Sequence, residues 1–344
     1  MTATDSSTPK TAAEQFAARR QSPVQKVQHT LHAHPSISPF LVLVLAFVVF
    51  TLINSRMAQP AQLGQLLQQA GIIAALAIGQ TLVILTAGID LSVGYLTILA
   101  MMVMAKLAAT GAVPGWLALL IGIAIGAAGG LLNGVLVTRI NLPPFIVTLG
   151  TMSIFLALGL LYSGAKSYSA EKLPDVLNWM GNIVKIGNFR ITYGVLAVVV
   201  MAMVVAFCLS QTAWGRHVYA VGDDLEGARL AGIRVKQVLL SVYLVAGLIY
   251  GITAWLQIGR AGTASPNAIS NGNLETITAV VIGGTSLFGG RGSILGTMLG
   301  ALIVYVFSSG LALAGVDDQY RVLATGVLVI AAVGIDQWIR KVKA

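Results

Sequence analysis

The sequence predicts an all-α membrane protein, a polytopic bundle of about ten transmembrane helices. Three observations predict it. Of 344 residues, 56% are hydrophobic and only 10% are charged, against roughly 25% charged in a soluble domain, so the chain cannot cover itself with polar surface and needs lipid as part of its solvent. Apolar runs recur from residue 39 to residue 338 with no long polar linker between them, which favours one transmembrane domain over the two soluble ones that length alone suggests. Finally, 38 glycines would be costly in helices unless they let backbones approach closely, as small residues do in membranes.

In chain order, the first 38 residues are polar and carry Lys10, Arg19, Arg20 and Lys26 before any hydrophobic run. That lead is too long for a signal peptide and reads as a disordered cytoplasmic tail. His29, His32 and His34, beside Pro35, read as loop and not as metal ligands. The candidate spans follow at 39–54, 66–87, 91–109, 115–138, 144–163, 191–210, 237–258, 276–289, 293–314 and 320–338, by the criterion of about 20 apolar residues each. They put residues 39–340 in one membrane domain, with 341–344 as a cytoplasmic C-terminal end.

An even number of spans leaves both termini on one side. With the N-terminus inside, the tails and inside loops hold thirteen of the 21 Lys and Arg residues, as the positive-inside bias requires. The formal charge of +9 is therefore explained without nucleic acid as a partner. A long outer loop, Gly164 to Arg190, weakens the asymmetry, because it holds Lys166, Lys172, Lys185 and Arg190. The single cysteine, Cys208, excludes an internal disulfide.

Small residues recur every fourth position on three spans: Gly71, Ala75 and Gly79; Gly122, Gly126, Gly130 and Gly134; Gly292, Gly296 and Gly300. Each stripe offers a surface along which another helix packs. Between spans two and three, the run Gly88 to Gly94 breaks the helix, and Asp90 or Ser92 is placed to cap the next one. A role for Asp90, Ser92 and Gly94 in the pathway is the alternative. Pro143 and Pro144 suit the start of span five. Span eight is short and is joined to span nine by Ser286-Leu287-Phe288-Gly289-Gly290-Arg291-Gly292, the kind of glycine interruption found near transport pathways.

Several chemistries are missing. The only histidine beyond the tail is His217, in a loop, which removes the general base of an intramembrane serine protease. Asp90 stands without a second carboxylate, so there is no aspartyl dyad. The cluster Gly289-Gly290-Arg291-Gly292-Ser293 lacks the lysine of a phosphate-binding loop and follows a helix. The chain therefore has no nucleotide site, no cofactor and no catalytic centre of its own. An ion-coupled carrier would need ionisable groups within the spans, and Asp90, Lys106 and Asp336 are the few available; that reading is a runner-up.

The loop between spans six and seven, about residues 211–236, contains Gly222-Asp223-Asp224-Leu225-Glu226-Gly227-Ala228-Arg229-Leu230-Ala231-Gly232-Ile233. Glycines flank a short polar helix whose acid comes early and whose Arg229 comes late, matching the helix dipole. Such a cytoplasmic helix can receive a push from a soluble partner.

This segment resembles the coupling loop of permease subunits of bacterial ATP-binding-cassette importers, in their monosaccharide branch. Gly227 stands where that family usually has alanine. The resemblance extends from about residue 66 to the end: GQTLVILTAGIDLSVG (Gly79 to Gly94), LLNGVLVTRINLPPFIVTLGTM (Leu131 to Met152) and AVVIGGTSLFGGRGSILGTMLGA (Ala279 to Ala301) are similar to ribose-type permeases and occur in the same order. Ahead of span eight, Asn271-Gly272-Asn273-Leu274-Glu275 departs from the ribose-type Gly-Tyr-Glu-Leu-Asp and loses one acid. Ile335-Asp336-Gln337-Trp338-Ile339-Arg340-Lys341, with Asn273-Leu274-Glu275 and Ser286-Leu287-Phe288-Gly289-Gly290-Arg291-Gly292, looks closer to fructose-type permeases.

The resemblance implies a non-enzymatic subunit of the bacterial inner membrane that translocates a monosaccharide, fructose or ribose-like. It implies a cytoplasmic ATPase acting on Gly222, Glu226, Arg229 and Gly232, a periplasmic or lipid-anchored sugar-binding protein, and a second permease copy. Asp90, Ser92, Gly94, Gly289, Gly290, Arg291 and Gly292 are the span-break and pathway candidates. The loops Gly164 to Arg190 and Arg260 to Glu275 are the expected docking sites of the binding protein. The alternative of a different class is an interaction partner of the ATPase that conducts no solute.

Overall fold

The computed structural model describes residues 37–269 and 271–341. The expected tail and its three histidines lie almost wholly outside the described residues, as do residues 342–344. Helices begin with α1 (Ile37–Ile53), α2 (Pro60–Leu85), α3 (Val93–Ala109), α4 (Gly115–Thr138) and α5 (Pro144–Ser163). After a short helix α6 (Asp175–Asn178) come α7 (Tyr193–Gln211), α8 (Ala213–Asp223), α9 (Leu225–Leu230) and α10 (Val235–Ala261). The chain ends with α11 (Gly272–Ile282), α12 (Ile294–Leu313) and α13 (Asp318–Lys341).

Among the described residues, six helices are long and apolar enough to cross a membrane: α2, α4, α5, α7, α10 and α12. Three more, α1, α3 and α11, are apolar but shorter. The side chains of Ile335 to Lys341, at the end of α13, lie outside the described residues. Two helices depart from the sequence reading by more than three residues. Helix α2 starts at Pro60 and not at 66, because proline fits the first helical turn and Gln59 adopts extended backbone ahead of it. Helix α11 runs from 272 to 282, against an expected 276–289, because Gly283 and Gly284 end it and Gly284 turns at φ +84°.

Helix α2 occupies the centre, with 83% of its most apolar stretch buried against 28% for α5 and α7. Its neighbours are α7, α10, α11 and α12. The every-fourth-residue glycines have specific partners. Gly126 and Gly130 of α4 press on Gly247 and Gly251 of α10, where a methyl group on Gly126 would come within 2.7 Å of the Gly251 backbone. Gly296 and Gly300 of α12 meet Gly283 and Ala279 in the same way. These contacts are backbone to backbone, so dispersion acts over the shortest possible helix separation.

At the end of the bundle remote from α9, the two long loops join. Strands β1 (Tyr168–Ser169) and β4 (Thr263–Ala264) pair antiparallel, with Ser169 opposite Thr263. Strands β2 (Ile183–Ile186) and β3 (Phe189–Thr192) form a hairpin. Trp179 stacks on Trp255, whose indole N–H donates to the Val176 carbonyl at 2.9 Å. The loops from Gly164 to Arg190 and from Arg260 to Glu275 thus form a single cap.

Candidate functional site

The expected coupling loop is two helices and not one. Helix α8 begins with the Thr212 side chain accepting from the Gly215 N–H at 3.2 Å. Gly222, read from sequence as closing the loop, sits instead in the last turn of α8, buried. A side chain there would strike the Leu85 carbonyl at the end of α2 and come within 2.7 Å of the Gly290 N–H. Asp224 then caps α9, its carboxylate accepting from the Glu226 N–H at 3.0 Å. Gly227 leaves the space that this carboxylate fills, within 2.5 Å of where a methyl group would be. Glycine at this position therefore accompanies a cap. Glu226 and Arg229 form an exposed ion pair at 2.6 Å, and Gly232 ends the segment at φ +85°.

The glycine loop after α11 lies against this unit. The Gly290 N–H donates to the Leu85 carbonyl at 3.0 Å, and the Arg291 carbonyl accepts from the Ser286 N–H at 2.9 Å. Tyr219 of α8 donates its hydroxyl to the Gly292 carbonyl at 2.9 Å. Burial pushes the Tyr219 phenol above its ordinary value, so it stays a donor at neutral pH. Gly289 and Gly290 have φ of +85° and +70°, a region in which a side chain is strained. Gly222, Gly289, Gly290, Arg291 and Gly292 therefore meet at one junction with the end of α2. Beside it, a cavity of about 420 Å³ is bounded by Thr86, Gly88, Asn141, Leu225, Val235 and Tyr243, among others.

Five residues beyond Leu85, at Asp90, the break ahead of α3 is a buried polar knot. Asp90, 1% exposed, accepts from the Ser92 N–H at 2.8 Å and from the Ser92 hydroxyl at 2.6 Å. Ser92 occupies the N-cap position but makes no side-chain cap bond, so the expected local cap is replaced. The first turn of α3 is capped from a distance: the Gly94 N–H donates to the Asn273 amide oxygen at 2.8 Å, and the Asn273 amide N–H donates to the Leu91 carbonyl at 2.7 Å. Asn133 of α4 donates to the Ser92 hydroxyl at 2.9 Å. With its amide turned so that both groups are satisfied, Gln80 of α2 donates to the Asp90 carbonyl at 3.1 Å and accepts from its N–H at 3.3 Å.

Sequence reasoning passed over Gln80, Asn133, Tyr219 and the pairing role of Asn273. A signal for two of them was present, since Gln80 and Asn133 are amides within apolar helices and are costly there unless partnered. Among the described residues, no cluster of histidine, cysteine and acidic side chains is arranged to hold a metal ion. The site is a set of helix ends joined by backbone and side-chain hydrogen bonds, an arrangement suited to transmitting movement.

Comparison with known proteins decides which kind of machine this is. Residues 62–333 match the family described as branched-chain amino acid transport system / permease component. The chain belongs to this permease family. It is 46% identical over 333 residues to the fructose import permease protein FrcC of Rhizobium meliloti, covering 96% of this chain and 92% of that one. It is 34% identical over 313 residues to the ribose import permease protein RbsC of Bacillus subtilis, covering 91% and 96%. The D-allose transport system permease protein AlsC of Escherichia coli is 34% identical over 277 residues, with 80% and 83% covered. No solved structure matches the chain. The permease is thus a multi-pass membrane protein and a transport subunit, not an enzyme.

Proposed function

We propose that this permease translocates a monosaccharide into the cytoplasm as the membrane-spanning half of an ATP-binding-cassette importer. The observation that carries the reading is the junction of α8 and α9 with Leu85 and Gly289 to Gly292. A polar two-helix unit, tied by the Tyr219 hydroxyl to the glycine loop that is itself bonded to the end of the central helix, is where a cytoplasmic ATPase would push. Glu226, Arg229 and Gly232 lie on the part of that unit open to solvent, while Gly222 lies on its buried side. The fructose import permease is the relative of greatest identity quoted above, which supports fructose ahead of ribose as the solute.

In this reading the chain crosses the bacterial inner membrane ten times, with α1, α3, α11 and α13 completing the set and both termini in the cytoplasm. Residues 1–38 are a cytoplasmic tail, 39–340 the membrane domain and 341–344 the cytoplasmic end. The cap formed by β1 with β4 and by the β2–β3 hairpin receives a periplasmic or lipid-anchored sugar-binding protein. A second copy of the chain completes the pathway. The exposed apolar face of α5, with Ile146, Ile154 and Leu161 outermost, supports a partner helix or lipid there.

The test is reconstitution in vesicles with the ATPase and the binding protein. ATP-driven fructose uptake that needs this chain supports the reading. Uptake without the chain would reduce it to an interaction partner, and uptake driven by an ion gradient without the ATPase would make it a carrier.

A further inference from the structure

We propose that Asn273 is the positioning residue through which the α8–α9 junction controls the break ahead of α3. The inference rests on the import reading above. Helix α11 has 11 residues, so it is about 16 Å long at 1.5 Å per residue, roughly half the ~30 Å hydrocarbon thickness of a bilayer. One end runs into the glycine loop that is bonded to Leu85 and Tyr219. The other end carries Asn273, whose amide bonds both Gly94 and Leu91. The N-termini of α3 and α11 therefore meet at depth.

These connections close a frame. From Leu85 the chain runs covalently through Asp90 to Leu91; Asn273 links Leu91 and Gly94 to α11; α11 leads to Gly290, which returns to Leu85. Movement of the junction reaches the break by two routes at once; the second is hydrogen-bonded at its near end by Gly290 to Leu85 and at its far end by Asn273 to Leu91 and Gly94. Helix α11 can serve as a rod because Gly283 and Ala279 lock it to Gly296 and Gly300 of α12.

The side chain type is demanding. The site needs one donor and one acceptor in the plane of an amide, which asparagine has and a carboxylate lacks. Gly94 is matched to it, since a methyl group there would lie 2.7 Å from the Asn273 oxygen. A carboxylate at 273 keeps the bond from Gly94 and loses the bond to Leu91. In a bilayer, where no water replaces a lost partner, each such group must be satisfied from within the protein.

The experiment uses the whole importer in vesicles and reads sugar uptake and ATP hydrolysis together. Asn273→Asp and Asn273→Leu should insert and assemble with the ATPase, keep hydrolysis stimulated by the binding protein, and lose uptake per ATP by roughly tenfold, as expected for a broken buried hydrogen bond. Gly94→Ala should do the same, and its extra effect should vanish in an Asn273→Ala background, where the clash is gone. Wild-type uptake per ATP in both Asn273 variants would overturn the proposal, as would equal loss of uptake and hydrolysis, or full additivity of Gly94→Ala and Asn273→Ala. Absence of ATP-driven uptake by the wild type would instead overturn the import reading on which it rests.

Discussion

Replacing Gly222 with alanine tests the junction most directly. The added methyl group would lie 2.7 Å from the Gly290 nitrogen, 0.7 Å short of ordinary contact at 3.4 Å, and would overlap the Leu85 carbonyl more severely. Both obstacles are backbone atoms, so no rotamer change relieves them, and α8 must move away from α2. Because the methyl group would stand against both ends of the bond from Gly290 to Leu85, 3.0 Å long in the wild type, it parts that bond as well. Overpacking costs about 1–3 kcal/mol and the lost bond about 1 kcal/mol. A total of about 2–4 kcal/mol corresponds to a thirtyfold or greater shift of the equilibrium that holds the junction closed, at about 1.4 kcal/mol per tenfold. We expect ATP-driven uptake in reconstituted vesicles to fall at least about tenfold while the chain still inserts. Gly150→Ala is the matched control, because a methyl group there meets nothing within 4 Å. Wild-type uptake in Gly222→Ala, or an equal loss in Gly150→Ala, would refute the reasoning.

Other expectations follow from named contacts. Glu226→Lys should leave thermal stability nearly unchanged, since an exposed pair is worth at most about 1 kcal/mol, yet uncouple uptake from hydrolysis; normal uptake in that variant would remove α9 from the coupling surface. Ser92→Ala removes the hydroxyl shared by Asp90 and Asn133 and should lower stability by about 1–3 kcal/mol, read as a fall in the unfolding temperature in detergent. Ser169→Cys with Thr263→Cys, in a Cys208→Ser background, should form a disulfide on oxidation, because directly opposed antiparallel residues lie within bridging distance; a free thiol pair would separate the two outer loops. Burial raises the Tyr219 pKa, so its bond to Gly292 contributes fully below the ordinary value of about 10 and is lost only as pH climbs through the higher folded value. Hydrogen exchange at the glycine loop should therefore be flat from about pH 6 to about pH 9 once corrected for intrinsic rates, with Tyr219→Phe faster throughout; a step in the wild type near neutrality would disprove this.

Individual residues show what was readable in advance. The run Gly122, Gly126, Gly130, Gly134 announced close helix packing, because glycine spacing is a property of one helix. That Gly247 and Gly251 are the partners depends on how α4 and α10 cross, which no local pattern encodes. Asp90 and Ser92 were legible as a helix break. The cap that serves it comes from Asn273, 179 residues beyond Gly94, and no spacing rule reaches that far.

The sequence by itself determined that the chain lives in a bilayer and where most of its spans begin and end, the start of α2 and the bounds of α11 excepted. These follow from composition and short-range periodicity, which act within one helix. Only the tertiary structure decided that Gly222 is pressed onto the end of α2, that the two outer loops form one cap, and that Asn273 joins two helix starts. Those are pairings between distant segments, and they arise because a buried N–H or carbonyl must find its partner wherever the fold brings one within reach.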